Sequence, residues 1–300
     1  MSSVEYTRDE DGPADFEHPM DVEEIVLDWL GKLLALPPSF LSSDTDGRAG
    51  KGGGVILSTA SEAVLVCMLA ARARVMVGRP AEDQTRLVVY TSDQGHSCIQ
   101  KACMIADVVH CHLVANRLGI WCHVDAAYAG SMAVCPELRG AFDGLELADS
   151  FNMNPTKSLL VNWECSALWV QDAAPLRMAL SLTPEYLRAK NNLLDLKDWQ
   201  VPLGTRFRAM KLWFVLRSYG AQRLRVYIRH RLHLARRFAA HVRDDERFEL
   251  AAGPKFGLVC MRLKGASREQ NSALLEALNA SGKLFMGHTE LAGRPQAMPG

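Results

Sequence analysis

Three short stretches carry side chains able to do chemistry. The first is Ser58-Thr59-Ala60-Ser61, where three hydroxyl residues stand between the glycine-rich approach Gly52-Gly53-Gly54 and a helix start. Backbone N–H groups and the helix dipole favour an anion at such a place, and hydroxyls add donors. Ordinary N-capping by Ser or Thr accounts for the same residues. A Walker-type phosphate loop fails, because Gly50-Lys51 is followed by Gly52 and not by Ser or Thr. The second is Asp125, which closes the apolar run Ile120 to Val124. An acid at the carboxyl end of a parallel strand faces the crevice where α/β proteins bind ligands, although turns and caps use aspartate too. The third is Lys157, in Asn154-Pro155-Thr156-Lys157, set between the run Ser150 to Met153 and apolar Leu159-Leu160-Val161. Apolar surroundings lower a lysine's pKa and free the amine for Schiff-base chemistry. A solvated surface lysine is the alternative.

Positioning these groups takes a sizeable core, and 300 residues with 48% apolar and 23% charged residues can supply one. Lys+Arg and Asp+Glu balance at 34 each, which favours neither nucleic acid nor an acidic membrane as partner. No apolar run approaches the roughly 20 residues that span a bilayer. The N-terminus does not read as a secretory signal. Eight cysteines without a CxxC pair read as reduced, mostly buried thiols, so a cytoplasmic enzyme is the expectation. Residues 1–20 read as an acidic flexible lead, with nine acids in the first 24 positions against Arg8. A helix is expected from Asp21, with Val22, Ile25, Val26, Trp29, Leu30, Leu33 and Leu34 as its apolar stripe and Pro37-Pro38 as its stop. Helices over 62–77 and 97–106 alternate with strands over 87–91, 120–124, 150–153 and 167–170. That alternation predicts an α/β layer with a mainly parallel sheet and flanking helices. Beyond residue 200, helices over 205–219 and 221–242 separated by Gly220, a strand over 256–263 and a helix over 267–280 suggest an incomplete small α+β C-terminal domain. From Leu284 onward no period is evident. The large domain is therefore placed at 21–200 and the small one at 201–300. His110-Cys111-His112 lacks a fourth ligand, and adjacent strand residues face opposite ways, so no metal site is expected. The arginines between 223 and 237 read as a solvated helix face, and Trp213, Phe214 and Leu216 as core.

In this order, a phosphate cradle, a strand-end aspartate and a strand-end lysine are the parts of a pyridoxal phosphate site. The stretches His123-Val124-Asp125-Ala126-Ala127-Tyr128-Ala129-Gly130 and Asp149-Ser150-Phe151-Asn152-Met153-Asn154-Pro155-Thr156-Lys157 closely resemble the group II pyridoxal-phosphate-dependent decarboxylases. Within that group the chain looks most like the plant aromatic-L-amino-acid decarboxylases, over about residues 21–109 and 117–285. The resemblance implies a type I pyridoxal-phosphate-dependent transferase-like fold and a homodimer. Lys157 would bind the cofactor covalently, and Asp125 would pair with its ring nitrogen. Thr59, Ala60 and Ser61 would hold the phosphate, with Asn154 supporting it. His96 would stack on one ring face and help orient the substrate, with Ala127 on the other face. Tyr186 would return a proton to the substrate carbon. Family members that make aldehydes tend to carry phenylalanine there, so a tyrosine implies simple decarboxylation to an amine. Gly204 would leave room for an indole, which favours tryptophan over tyrosine or DOPA; one such group is worth about 1–3 kcal/mol of discrimination.

The chain also departs from the family pattern. The family has a long N-terminal helical arm where this chain has its acidic lead, and its small domain continues beyond about Met286. Between Ala106 and Leu118 it carries several dozen additional residues, with a central strand and a threonine near the cofactor. Losing a central strand leaves two neighbours that must re-pair or expose unpaired N–H and C=O groups, at about 1–3 kcal/mol for each buried one. Thr156 stands where histidine is usual and Ser158 where tryptophan is usual. Aromatic amino acid decarboxylation is thus the leading expectation. A truncated non-catalytic relative or partner subunit is the competing one, and an aromatic aldehyde synthase the third.

Overall fold

The computed structural model describes residues 19–43, 50–92, 94–112, 120–181, 195–291 and 294–299. Its first helix, α1 (Pro19–Leu34), starts two residues ahead of Asp21. Val22, Val26, Leu27, Leu30 and Leu34 lie on its buried face, each three or four residues from another of the set. Each such side chain contributes about 1.5–3 kcal/mol when fully buried. Ala35 then takes a left-handed φ of 58°, and the prolines that follow keep the helix from resuming.

A four-stranded sheet lies against α1. Its order is β1 (Gly53–Leu57), β6 (Ser166–Val170), β5 (Ser150–Met153) and β4 (His123–Asp125). The first three of these strands are buried at every position. At Gly52, on the way into β1, an added Cβ would lie 2.1 Å from the Ser39 carbonyl oxygen, so only glycine lets the backbones meet. The α/β expectation holds, but the sheet is mixed and not mainly parallel. Only β4 and β5 run parallel here, while β6 opposes both β5 and β1. The reason lies in the connection after β5. It contains only the single-turn helix α4 (Pro155–Ser158), whereas a parallel step usually carries a longer helix packed across the sheet.

The remaining strands of this layer, β2 (Val88–Thr91) and β3 (Val109–His112), form a separate parallel pair. Among the described residues neither pairs with β4. The helix α2 (Ala60–Met76) packs on both pieces. Ala63, Val66, Cys67 and Ala70 join Val55, Leu57, Leu168 and Val170, while Val64 and Met68 join α3 (Ser97–Ala106) through Cys98, Ala102, Cys103 and Ala106. The short α5 (Ala174–Leu180) covers the outer side of the first group through Leu176.

The two helices expected around Gly220 form one long α6 (Ala209–Asp244), broken at Gly220 by φ 62° and ψ 170°. Ala209, Leu212, Leu224, Ile228 and Leu232 belong to the same core as α1, Phe151 and Trp169, and Val242 belongs to the small C-terminal core. Its arginines are not simply a solvated face. Arg225 Nε donates to the Val134 carbonyl at 2.9 Å, and Arg229 forms two hydrogen bonds to Glu137 at 2.7 and 3.0 Å. Trp213 and Leu216 pack on the core, whereas Phe214 is exposed.

The C-terminal sheet has the order β7 (Phe248–Leu250), β8 (Met261–Leu263), β10 (Arg294–Pro299), β9 (Met286–Leu291), all antiparallel. The helix α7 (Arg268–Ala280) begins with a reciprocal Ser267–Gln270 capping box. The strand expected over 256–263 is reduced to three residues, because Phe256 is left-handed (φ 52°) and Lys255 pairs with Leu258 in a tight turn. The pair β9–β10 falls where no periodicity was visible. No helix among the described residues is long and apolar enough to cross a membrane.

Candidate cofactor site

The candidate groups sit at the carboxyl ends of β4 and β5 and at the amino ends of α2 and α3. Asp125 is the last residue of β4, in parallel register with Asn152. Its exposed side chain accepts the Ala127 N–H through Oδ1 at 2.9 Å, which turns the chain sharply after the strand. Two backbone bonds stitch this turn to β5: Ala126 N–H to the Asn152 carbonyl and Asn154 N–H to that of Ala127. At Gly130 an added Cβ would lie 2.5 Å from the Met153 Cβ, so glycine is what allows the turn to seat against β5. Two residues before Asp125, on the same face of the strand, His123 Nδ1 lies 2.8 Å from Ser150 Oγ. Burial pushes the His123 pKa down to about 4, against the opposing pull of Asp125, so the ring is neutral near pH 7.

Lys157 lies on α4, just past buried Asn154 and Pro155, with its side chain exposed. Its N–H donates to the Asn154 carbonyl at 3.1 Å. From α6, Arg231 Nη1 donates to the Lys157 carbonyl at 3.1 Å and to Ser158 Oγ at 3.3 Å. The lysine turn is therefore held from both sides.

Opposite lies the hydroxyl-rich start of α2. Thr59 is its N-cap and accepts the Glu62 N–H at 3.3 Å. Ser58 donates its N–H at 3.0 Å, and its hydroxyl, to the Glu62 carboxylate. The capping explanation is thus realised for Thr59. Ala60 opens the helix, and Ser61 hydrogen-bonds the Cys98 thiol. His96 is the N-cap of α3: its Nδ1 accepts the Cys98 N–H at 3.0 Å and its ring is exposed.

Cys98 ties these pieces together. Burial raises its pKa first and the charge of Asp125 raises it further, while Ser61 and the Lys157 ammonium pull it down. Asp125 and Lys157 are therefore both within electrostatic reach of this one thiol at the start of α3. One expected participant among the described residues, Gly204, is not part of this cluster. Tyr186 lies outside the described residues. Gly204 sits in an exposed loop before α6, its carbonyl accepting from Gln200 Nε2 at 3.4 Å, and an added Cβ there meets nothing within 4 Å.

The same region holds unusual polar atoms. Asn152 Oδ1 and Nδ2, Asn154 Oδ1, Thr156 Oγ1 and His123 Nε2 are buried without a hydrogen-bond partner. Buried polar atoms normally have partners, and each orphan costs about 1–3 kcal/mol. Orphan donors and acceptors beside an amine, a carboxylate and a helix N-terminus suit a polar, anionic ligand with an aldehyde and a ring nitrogen. Pyridoxal phosphate fits that description.

Comparison with known proteins decides the family. The model described as the pyridoxal-dependent decarboxylase conserved domain matches residues 17–113 and 106–264. The chain belongs to the pyridoxal-dependent decarboxylase family. Phenylacetaldehyde synthase of Arabidopsis thaliana is 43% identical over 341 positions, covering 91% of this chain and 68% of that protein. Tryptophan decarboxylase 2 of Oryza sativa subsp. japonica is 40% identical, covering 91% and 67%. Among solved structures, Oryza sativa TDC with PLP and tryptamine superposes with a TM-score of 0.85 at 34% identity, covering 94% of this chain and 71% of that one. The decarboxylase has the type I pyridoxal phosphate fold, uses that cofactor, and is of the carboxy-lyase class. Sequence reasoning did not single out Cys98, His123 or Arg231. The first two lie within or beside quoted motifs, whereas Arg231 makes a contact 74 residues away that no local pattern announces.

Proposed function

We propose that this decarboxylase acts on aromatic L-amino acids, tryptophan ahead of tyrosine and DOPA, and releases an arylalkylamine and CO2. The observation that carries the proposal is the convergence of Lys157, Asp125, Ser61 and the His96 cap around Cys98. Lys157 Nζ is the covalent anchor for the cofactor aldehyde, and Asp125 is the partner of the ring nitrogen. Thr59, Ala60, Ser61 and Asn154 form the phosphate end, with backbone N–H groups and the α2 dipole supplying most of the attraction. Ala127, buried in the turn after Asp125, and His96, exposed on α3, flank the ring. When bound, the cofactor supplies an electron sink for the pair left as the Cα–carboxylate bond breaks. One proton then replaces CO2 on Cα, and Tyr186 is its donor. His96 orients the substrate, and Gly204 leaves space for an indole ring. The organisation that goes with this reading is a large domain over 21–200, a partial small domain over 201–300, and a cytoplasmic homodimer.

The test is a mixture of the purified chain, pyridoxal phosphate and tryptophan, tyrosine or DOPA. The expected result is a visible absorbance band that Lys157→Ala abolishes, with amine and CO2 released in equal amounts. Identical spectra for the two proteins would overturn the proposal in favour of a non-catalytic relative. Peroxide and aldehyde in place of amine would overturn the assignment of Tyr186; the similarity to an aldehyde synthase makes that outcome worth measuring.

A further inference from the structure

The split sheet leaves two strand edges open among the described residues. The outer edge of β4 has no strand beside it among the described residues, and β2 is paired only with β3. Both edges have the same polarity at the cleft. β4 ends at Asp125, and β2 leads through Gly95 and His96 into Cys98, whose thiol senses Asp125. A parallel strand laid between them would continue both ladders in one direction. Its inner face would meet α2, which already backs both pieces. The exposure of Val88 and Tyr90, 37% and 38%, contrasts with the full burial of β5 and β6.

The comparisons say what kind of segment belongs there. The family match comes in two pieces that meet at 106–113, between β2 and β4 in the chain. The Arabidopsis alignment runs over 341 positions although only 91% of these 300 residues enter it, so that relative carries several dozen residues that this chain lacks.

We propose that the slot between β2 and β4 is a β-augmentation site that takes an extended apolar strand from another polypeptide, equivalent to the segment these relatives carry at the 106–113 break. Main-chain hydrogen bonds to two open edges supply the affinity, and alternate side chains against α2 supply the selectivity. β-Branched residues suit such a strand. The inference rests on the fold and stands whether or not the chain decarboxylates anything.

The experiment uses the full 300-residue chain and overlapping synthetic peptides that span the intervening segment of the Arabidopsis relative, with scrambled versions as controls. Hydrogen–deuterium exchange read by mass spectrometry follows residues 88–91 and 123–125. The expected result is that one peptide slows exchange at least tenfold at both stretches together, and that its scrambled version does not. Four results would each overturn the inference: no peptide protects, scrambled and native peptides protect equally, only one edge responds, or both edges are already protected without peptide. The last would mean that the chain itself or a second copy fills the slot, and sedimentation would say which.

Discussion

The four-stranded and two-stranded pieces of the large layer are made from similar sequence and end up in different physical states. In the first, Phe151 and Trp169 meet at 6.0 Å between ring centroids, and α1 and α6 cover them from outside. In the second, β2 alternates between exposed and half-buried positions, and Val89 packs on the α2–α3 cluster. Asp125, Asn154 and Lys157 stand on the first piece, His96 and Cys98 on the second, and α2 joins them. On the proposed assignment of the site, the chemistry depends on a joint between one well-packed and one thinly covered structure.

Mutation measures the contrast directly. Trp169→Ala, which empties the space between β6 and α1, is expected to destabilise by about 3–5 kcal/mol in urea unfolding. Val88→Ala, on the half-exposed strand, is expected to change stability by less than about 0.5 kcal/mol. Equal effects would mean that the two pieces unfold with the same dependence on packing.

Two buried titrating groups sharpen the picture within the packed piece. On α1, Glu23 Oε1 accepts the Ile56 N–H at 2.6 Å on the side of β1 that faces away from β6. Its pKa is raised to about 7, by burial first, against the lowering effects of that hydrogen bond and Arg208. Between about 4.5 and 7 the folded state therefore holds a proton there that the unfolded chain releases, and stability falls as pH rises. His123, lowered to about 4, does the reverse: between about 4 and 6.5 the unfolded chain binds the extra proton, and stability rises with pH. Each shift corresponds to an effect on the order of 3 kcal/mol. The two oppose each other, so wild-type stability is expected to vary little between pH 4.5 and 6.5. Glu23→Gln should leave a stability that climbs with pH, and His123→Gln one that declines. Slopes of the same sign in the two variants would refute the assignment. A smaller difference is expected in native-state hydrogen exchange. The amides of β5 and β6 should exchange only through global unfolding, and those of β2 through a lower-energy local opening.

The legibility of the sequence follows the same division. The bounds of β5 were readable to the residue, because Ser150 to Met153 is a buried run between Asp149 and the Asn154-Pro155 turn. The break at Gly220 was readable from one residue, since glycine readily takes a positive φ. The pair β9–β10 was not, because Gly287, His288 and Thr289 interrupt any apolar alternation and the strands are defined by pairing with each other. The antiparallel course of β6 was hidden too, since strand direction depends on how the chain returns after α4. Of the site, the motif residues were visible as types at spacings. Their meeting around Cys98 was not, because it depends on α2 spanning a gap in the sheet.

The grip of Arg231 on the Lys157 carbonyl has a mechanical meaning. One end of α6 is anchored among the β7–β8 side chains through Val242, and its middle clasps the backbone that carries the amine. A rod so fastened transmits tilt, so rocking of the C-terminal lobe would tug on the turn beneath Lys157. Substitutions remote from the cleft, at Val242 or Met261, would then be felt as a change in the reach of a single ammonium group.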